Sequence, residues 1–429
     1  MSASGDTVGR SPQRGWRDGW WDRRLRERVW RRFESLRDGR VILEQAGACR
    51  EFGRSDSDLP PVRVRIRDAR CYRQLAFGGS LGAAEAYLRG YWDCDDLVGL
   101  IRVFCRNAEL FNGLDRGVAR LFRPLARLAH GLRRNTMAGS RRNIGAHYDL
   151  GNEFFARFLD PTMAYSCAIF PQATSSLHEA SLAKFARICQ KLGLQSHDHL
   201  LEIGTGWGGL AIYAARHHGC RVTSTTISPR QFAYAVEQVA AAGLQHLVTV
   251  CSDDYRNLQG TYDKLVSIEM IEAVGHQYFE TFFQVCSQRL KPDGLMLLQA
   301  IVIPDQRYSQ YCRSVDFIQR YVFPGGCLPS LGAICGSLGR RTDLQPVHLE
   351  DLTAHYARTL ATWRQRFVSQ RDTLRAMGFS ERFLRTWEFY FCYCEGGFRE
   401  RAIGDVQLLL AKPDGHRLPP FPPLSAAPP

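Results

Sequence analysis

The chain has 429 residues, 45% of them hydrophobic, and its 56 Lys and Arg outnumber 43 Asp and Glu to give a formal net charge of +13. This is the size of two or three globular domains, and the positive excess suits an anionic partner, either nucleic acid or a phospholipid surface. No apolar run approaches the ~18 residues of a membrane-spanning helix, and fourteen cysteines without one Cys-x-x-Cys pair read as reduced thiols, not as a disulfide framework or a zinc site.

The opening "MSASGDTVGRSPQRGW" has no apolar signal-peptide core, so a cytoplasmic location is expected. Residues 1–40 hold eleven arginines, no lysine and four of the eight tryptophans. Trp21, Leu25, Val29, Phe33 and Leu36 recur at helical spacing among the arginines. That pattern fits a helix lying in a lipid interface and fits equally a surface helix docked on its own domain. Residues 41–112 read as a small α+β module: "PVRVRIRD" alternates as a strand does, and "SLGAAEAYLRGYWDCDDLVGLIRVF" reads as helices. In the basic connector 113–142, Leu114, Val118, Leu121, Leu125, Leu128 and Leu132 form one stripe, and Pro124 is expected to kink it.

From 143 to 412, helices alternate with short apolar strands at 200–203, 221–225, 248–251, 264–268 and 295–300. This alternation predicts a Rossmann-like α/β domain, a mostly parallel sheet with helices on both faces. The tail, 413–429, is proline-rich and expected to be disordered. Ligands of such a sheet sit beyond the carboxyl ends of its strands, where "LLEIGTGWGG" turns from strand into helix. Gly204, Gly206 and Gly209 fit G-x-G-x-x-G, but no Asp or Glu lies between Ile203 and Val236 to take the ribose of a dinucleotide. An adenosine-bearing ligand without a pyrophosphate is still accommodated, with Thr226, Ser228 and Gln231 replacing the acid. S-adenosylmethionine answers that description.

The segments "HYDLGNEFFARFLDPTMAYSCAIF", "LLEIGTGWGG", "TTISPRQ", "IEMIEAVG" and "FIQRYVFPGGCLPS" resemble the cyclopropane fatty acid synthase family in order and spacing. The likeness runs over roughly residues 60–410 and includes the small N-terminal domain of the bacterial synthases. It implies an S-adenosylmethionine-dependent enzyme that acts on double bonds of phospholipid acyl chains. With the basic excess and the arginine-rich segments, peripheral association with the inner face of the membrane and an anionic bilayer surface as partner in place of nucleic acid are expected, with a homodimer as one arrangement. The cofactor stretches carry over onto Tyr165 and Ser166, then Gly204 and Gly206, then Thr226, Ser228 and Gln231, with Asp253 and Asp254 as candidates for the adenine edge or ribose.

An alkene is a weak nucleophile, so the sulfonium methyl must be brought to its π-face in reactive geometry. Methyl transfer leaves a carbocation, and a base must take a proton from the new methyl for the ring to close. In the family that base is a bicarbonate ion. The positions resembling its ligands are Cys167, Glu272 and Tyr356, with Ile301 offering its backbone. Where many members read His-x-Ile this chain reads Gln299-Ala300-Ile301, and Gln donates and accepts hydrogen bonds but does not titrate. That departure leaves two products open: a cyclopropane, or a methylene- or methyl-branched chain from a fatty-acyl methyltransferase. Glu269 competes with Glu272 for the acidic role, and the "EAVG" context selects Glu272. Cys394 matches a cysteine suspected of catalysis, although the chemistry needs no thiol nucleophile. His147 and Tyr148 are expected at the pocket entrance. A nucleic-acid methyltransferase is the distant alternative, weakened by the lack of a [DN]PP[YF] tetrapeptide.

Overall fold

The computed structural model describes residues 20–54, 57–110, 150–415 and 418. The stripe of the basic connector from Leu114 onward, His147 and Tyr148, and nearly all of the proline-rich tail lie outside the described residues. The chain divides into two compact units.

The first unit holds a four-stranded sheet in the order β2-β1-β3-β4, formed by β1 (Arg40–Gln45), β2 (Ala48–Gly53), β3 (Val62–Ile66) and β4 (Trp92–Cys94). β1 and β2 pair antiparallel around Ala46 and Gly47, both at positive φ, as a tight hairpin requires. β1 runs parallel to β3, and alternate residues Val41, Leu43, Val62, Val64 and Ile66 are buried. The helix Trp20–Phe33 buries Val29 and Phe33, and the Phe33 ring lies 5.7 Å from that of Phe52. Its apolar positions Val29 and Phe33 thus serve packing within this unit, while Arg23, Arg28 and Arg31 are exposed.

The second unit includes the helix Leu97–Arg106, which the sequence grouping had counted with residues 41–112. This helix packs against the helix Glu381–Arg399 at Gly396, where an added Cβ would stand 2.7 Å from Ile101. Arg102 and Arg106 both pair with Glu400, at 2.6 and 2.7 Å.

Its seven-stranded sheet has the order β10-β11-β9-β8-β5-β6-β7. The strands are β5 (His199–Ile203), β6 (Arg221–Thr225), β7 (Val248–Cys251), β8 (Tyr262–Ile268), β9 (Leu290–Val302), β10 (Gln345–Asp351) and β11 (Gly404–Ala411). β5 through β9 are mutually parallel, and β11 and β10 add an antiparallel edge. Period-two alternation sends Leu201, Leu265, Met296 and Leu298 to one face against Phe282 and Phe283. Leu200, Val266, Leu295 and Leu297 face the other, against Ile188 and Ala211. Because β5 is flanked by β6 and β8, the connections leave it in opposite directions, and a crevice opens at its carboxyl end. The fold is the Rossmann-like α/β class expected, with two further strands, the reversed β11 and the edge strand β10, that short apolar patterning did not reveal.

Candidate active site

A cavity of about 340 Å³ opens at the carboxyl ends of the parallel strands. After β5 it is lined by Gly204 and Gly206, at φ +104° and +53°; a side chain at Gly204 would touch Met270 at 3.4 Å. The loop therefore leaves backbone open to a ligand where helix Gly209–His218 begins. After β6, Thr226 and Gln231 line the cavity, joined by a 3.0 Å bond from Thr226 Oγ1 to Gln231 Oε1. Ser228 is buried and caps the helix Pro229–Ala241, accepting from the Gln231 backbone, and it does not reach the cavity wall. After β7 come Asp253 and Asp254, the latter held by Arg256 at 2.7 Å. Tyr165 and Ser166 close another side, and the buried Lys184 ammonium donates to Ser166 Oγ at 2.6 Å. Burial lowers the pKa of Lys184.

The expected catalytic positions converge, though not as the resemblance implied. Glu272, Ile301, Tyr356 and Cys394 line the cavity; Cys167 and Gln299 stand behind it. The Cys167 thiol points to the carbonyls of Ala168 and Leu352, and burial pushes its pKa up, so it offers no thiolate. What Cys167 contributes is its backbone N–H, which donates to Glu269 Oε1 at 2.8 Å. Gln299 Nε2 donates to the same oxygen at 2.7 Å, and Tyr356 donates its hydroxyl to Glu269 Oε2 at 2.5 Å. Cys167 and Tyr356, both assigned to a bicarbonate ion, thus bind a side-chain carboxylate of the chain itself, together with Gln299. Glu269, weighed in the sequence only as a rival of Glu272, is the centre of the network.

Glu272 accepts from the Ile301 N–H at 2.6 Å through Oε1, while its buried Oε2 has no partner. Burial, with the nearby Glu269 charge, pushes its pKa up to about 8. Burial also raises Glu269, opposed by the Tyr356, Cys167, Lys184 and Gln299 contacts. Three donors thus oppose the rise at Glu269, whereas only backbone N–H groups oppose it at Glu272. Glu269 adopts a left-handed backbone, φ +47°, as does Met163 on the same wall. Such conformations cost about 1–3 kcal/mol at non-glycine residues and concentrate at functional sites.

Gln299 has every polar atom engaged. Its amide also donates to Asp405 Oδ2 at 3.1 Å and accepts from Gln407 at 3.0 Å, and Gln407 accepts from Lys191 at 2.7 Å. An imidazole has too few hydrogen-bonding sites to make all three contacts, so the structure accounts for the departure from His. Cys394 lies on the wall with its thiol pKa raised by burial. Aromatic rings of Tyr165, Phe323, Tyr390 and Phe398 complete the lining. The sequence reading missed Lys184, Glu202 and Asp405. Glu202 was legible, being an acid inside the apolar run "LLEIG"; it lines the cavity, accepts from Ser224, and burial raises its pKa to about 8. Lys184 and Asp405 carry no local signal.

Residues 136–408 match the model of the mycolic acid cyclopropane synthetase family. The chain is 39% identical to the tuberculostearic acid methyltransferase of Mycobacterium tuberculosis, over 84% of this chain and 85% of that one. It is 36% identical to the cyclopropane-fatty-acyl-phospholipid synthase of Escherichia coli K12, over 81% and 86%. A solved mycolic acid cyclopropane synthase complexed with SAH and CTAB superposes with a TM-score of 0.60 at 30% identity, covering 63% of this chain and 98% of that one.

Proposed function

The chain belongs to the mycolic acid cyclopropane synthetase family and is an S-adenosylmethionine-dependent transferase of lipid synthesis, and we propose that it adds a methylene group to the cis double bond of phospholipid acyl chains. One observation carries this reading: a single cavity joins the glycine loop of a methyl donor to two buried carboxylates and a wall of aromatic rings. S-adenosylmethionine supplies an electrophilic methyl there. The chain's residues do the rest. Apolar and aromatic walls accept an alkyl chain and keep out water that would trap a cation. The faces of Tyr165, Phe323, Tyr390 and Phe398 favour positive charge nearby, as does the carboxylate of Glu269 when ionised. The acceptor of the departing proton sits among Cys167, Gln299 and Tyr356, the place that the resemblance gives to bicarbonate.

The lipid surface we assign as partner is anionic, in keeping with the +13 charge and the exposed arginines of helix Trp20–Phe33. No helix among the described residues is long and apolar enough to cross a membrane. A second reading, methyl transfer that ends in a methylene- or methyl-branched chain, draws support from the tuberculostearic acid methyltransferase relative. The test is incubation of the purified chain with S-adenosylmethionine and vesicles of unsaturated phosphatidylglycerol. Acyl chains heavier by one CH2 support the reading, and unaltered lipid in the presence of bound cofactor overturns it.

A further inference from the structure

Resting on that reading, we infer that Glu269 supplies the base that a bicarbonate ion would otherwise provide, and that no such ion enters the site. An anion in this position needs donors, and the Cys167 N–H, the Gln299 amide and the Tyr356 hydroxyl already converge on the two oxygens of Glu269 at 2.8, 2.7 and 2.5 Å. A second anion among the same groups would meet the negative edge of Glu269 and find its hydrogen bonds spent. The Ile301 N–H, which was also expected to hold the ion, is taken by Glu272. Glu269 lines the cavity together with Glu272 and Tyr356. It is held there in a left-handed backbone that the neighbouring structure must enforce.

The step balances without a further reactant. One C–H bond of the newly added methyl breaks, and its electron pair closes the third side of the ring onto the cationic carbon. The proton goes to Glu269, which returns it to solvent before the next turnover.

The test uses the whole chain in buffer purged of carbon dioxide. The wild type should form product at the same rate with and without added sodium bicarbonate. Calorimetric titration of the S-adenosylhomocysteine complex with bicarbonate should give no binding heat. Glu269→Gly relieves the backbone strain and frees the donors, so it should lose about 100-fold in rate, recover about 10-fold with bicarbonate or formate, and bind bicarbonate by titration. Glu269→Gln keeps the space filled without a base and should be slow and not rescued. If the wild type stalls without bicarbonate, or binds it in the titration, the inference is overturned while the lipid reading stands. If wild type leaves lipid unmodified in both buffers, the lipid reading falls, and the titration alone still decides whether the anion has a place.

Discussion

Gln299 holds Glu269 in place: its Nε2 donates to Glu269 Oε1 at 2.7 Å while its own oxygen accepts from Gln407. The pair links the carboxyl-terminal part of β9 to the residue just after β8 and fixes a carboxylate at the cavity wall. A charge-assisted hydrogen bond of this kind contributes about 1.5–3 kcal/mol. Gln299→His should therefore slow turnover by about 10- to 100-fold, with cofactor affinity changed little, because the amide lies behind the cofactor loop's walls. Steady-state kinetics beside calorimetric S-adenosylmethionine binding separate the two effects. A variant with wild-type turnover would remove Gln299 from the network's work.

Tyr356→Phe deletes the hydroxyl donated to Glu269 Oε2. Losing a donor to the charged form raises the carboxylate's pKa, on top of the rise that burial already imposes. Since Glu269 must be ionised to accept a proton, the acid limb of the rate profile should move to higher pH. An unmoved limb with a merely lower plateau would show that the hydroxyl only packs.

The Glu272 pKa also makes a stability statement. Its folded value, about 8, lies above the ordinary 4.5, so between these pH values the folded chain keeps a proton that the unfolded chain releases. The stabilisation is full below pH 4.5 and lost as pH rises through 8. Glu272→Gln cannot ionise, so its melting temperature should gain on the wild type as pH rises from 5 to 8. Parallel melting curves across this range would show that Glu272 is already ionised when folded.

These outcomes turn on residues that differ in how visible they were. The glycine loop and the parallel strands were legible because local spacing and chain order determine them, and the "EAVG" glutamate was legible only through the family resemblance. β11 was not, since its pairing with β9 joins residues about a hundred positions apart. Glu269 was seen and set aside: its role depends on Tyr356 and Cys167, which are near only in the folded chain. Cys167 was expected for its side chain and contributes backbone instead, which no side-chain pattern records.

Gly204→Ala should cost about 1–3 kcal/mol and weaken cofactor binding, because φ +104° strains any side chain there and Met270 stands 3.4 Å from the new methyl. Gly206→Ala, with open space beyond it, should fall at the low end of that range. Thermal denaturation with and without S-adenosylhomocysteine would rank them, and the reverse order would contradict the loop's proposed approach to the ligand.

Cys394→Ala should leave turnover within the same order of magnitude. The thiol is buried with a raised pKa, so no thiolate is present to act as nucleophile or base. Loss of activity without loss of melting temperature would restore a chemical role to that sulfur.

The product tests the account most directly. With S-adenosylmethionine labelled by carbon-13 at its methyl group and vesicles of a cis-monounsaturated phosphatidylglycerol, two-dimensional carbon–proton NMR of the extracted lipid reports where the new carbon ends. Proton abstraction from the added methyl by a base fixed at Glu269 predicts the label in a ring methylene, with its two protons shifted upfield and inequivalent. Label in a vinylic methylene, which forms when a hydride shift precedes loss of a proton from the same methyl, or label in a methyl group would contradict ring closure.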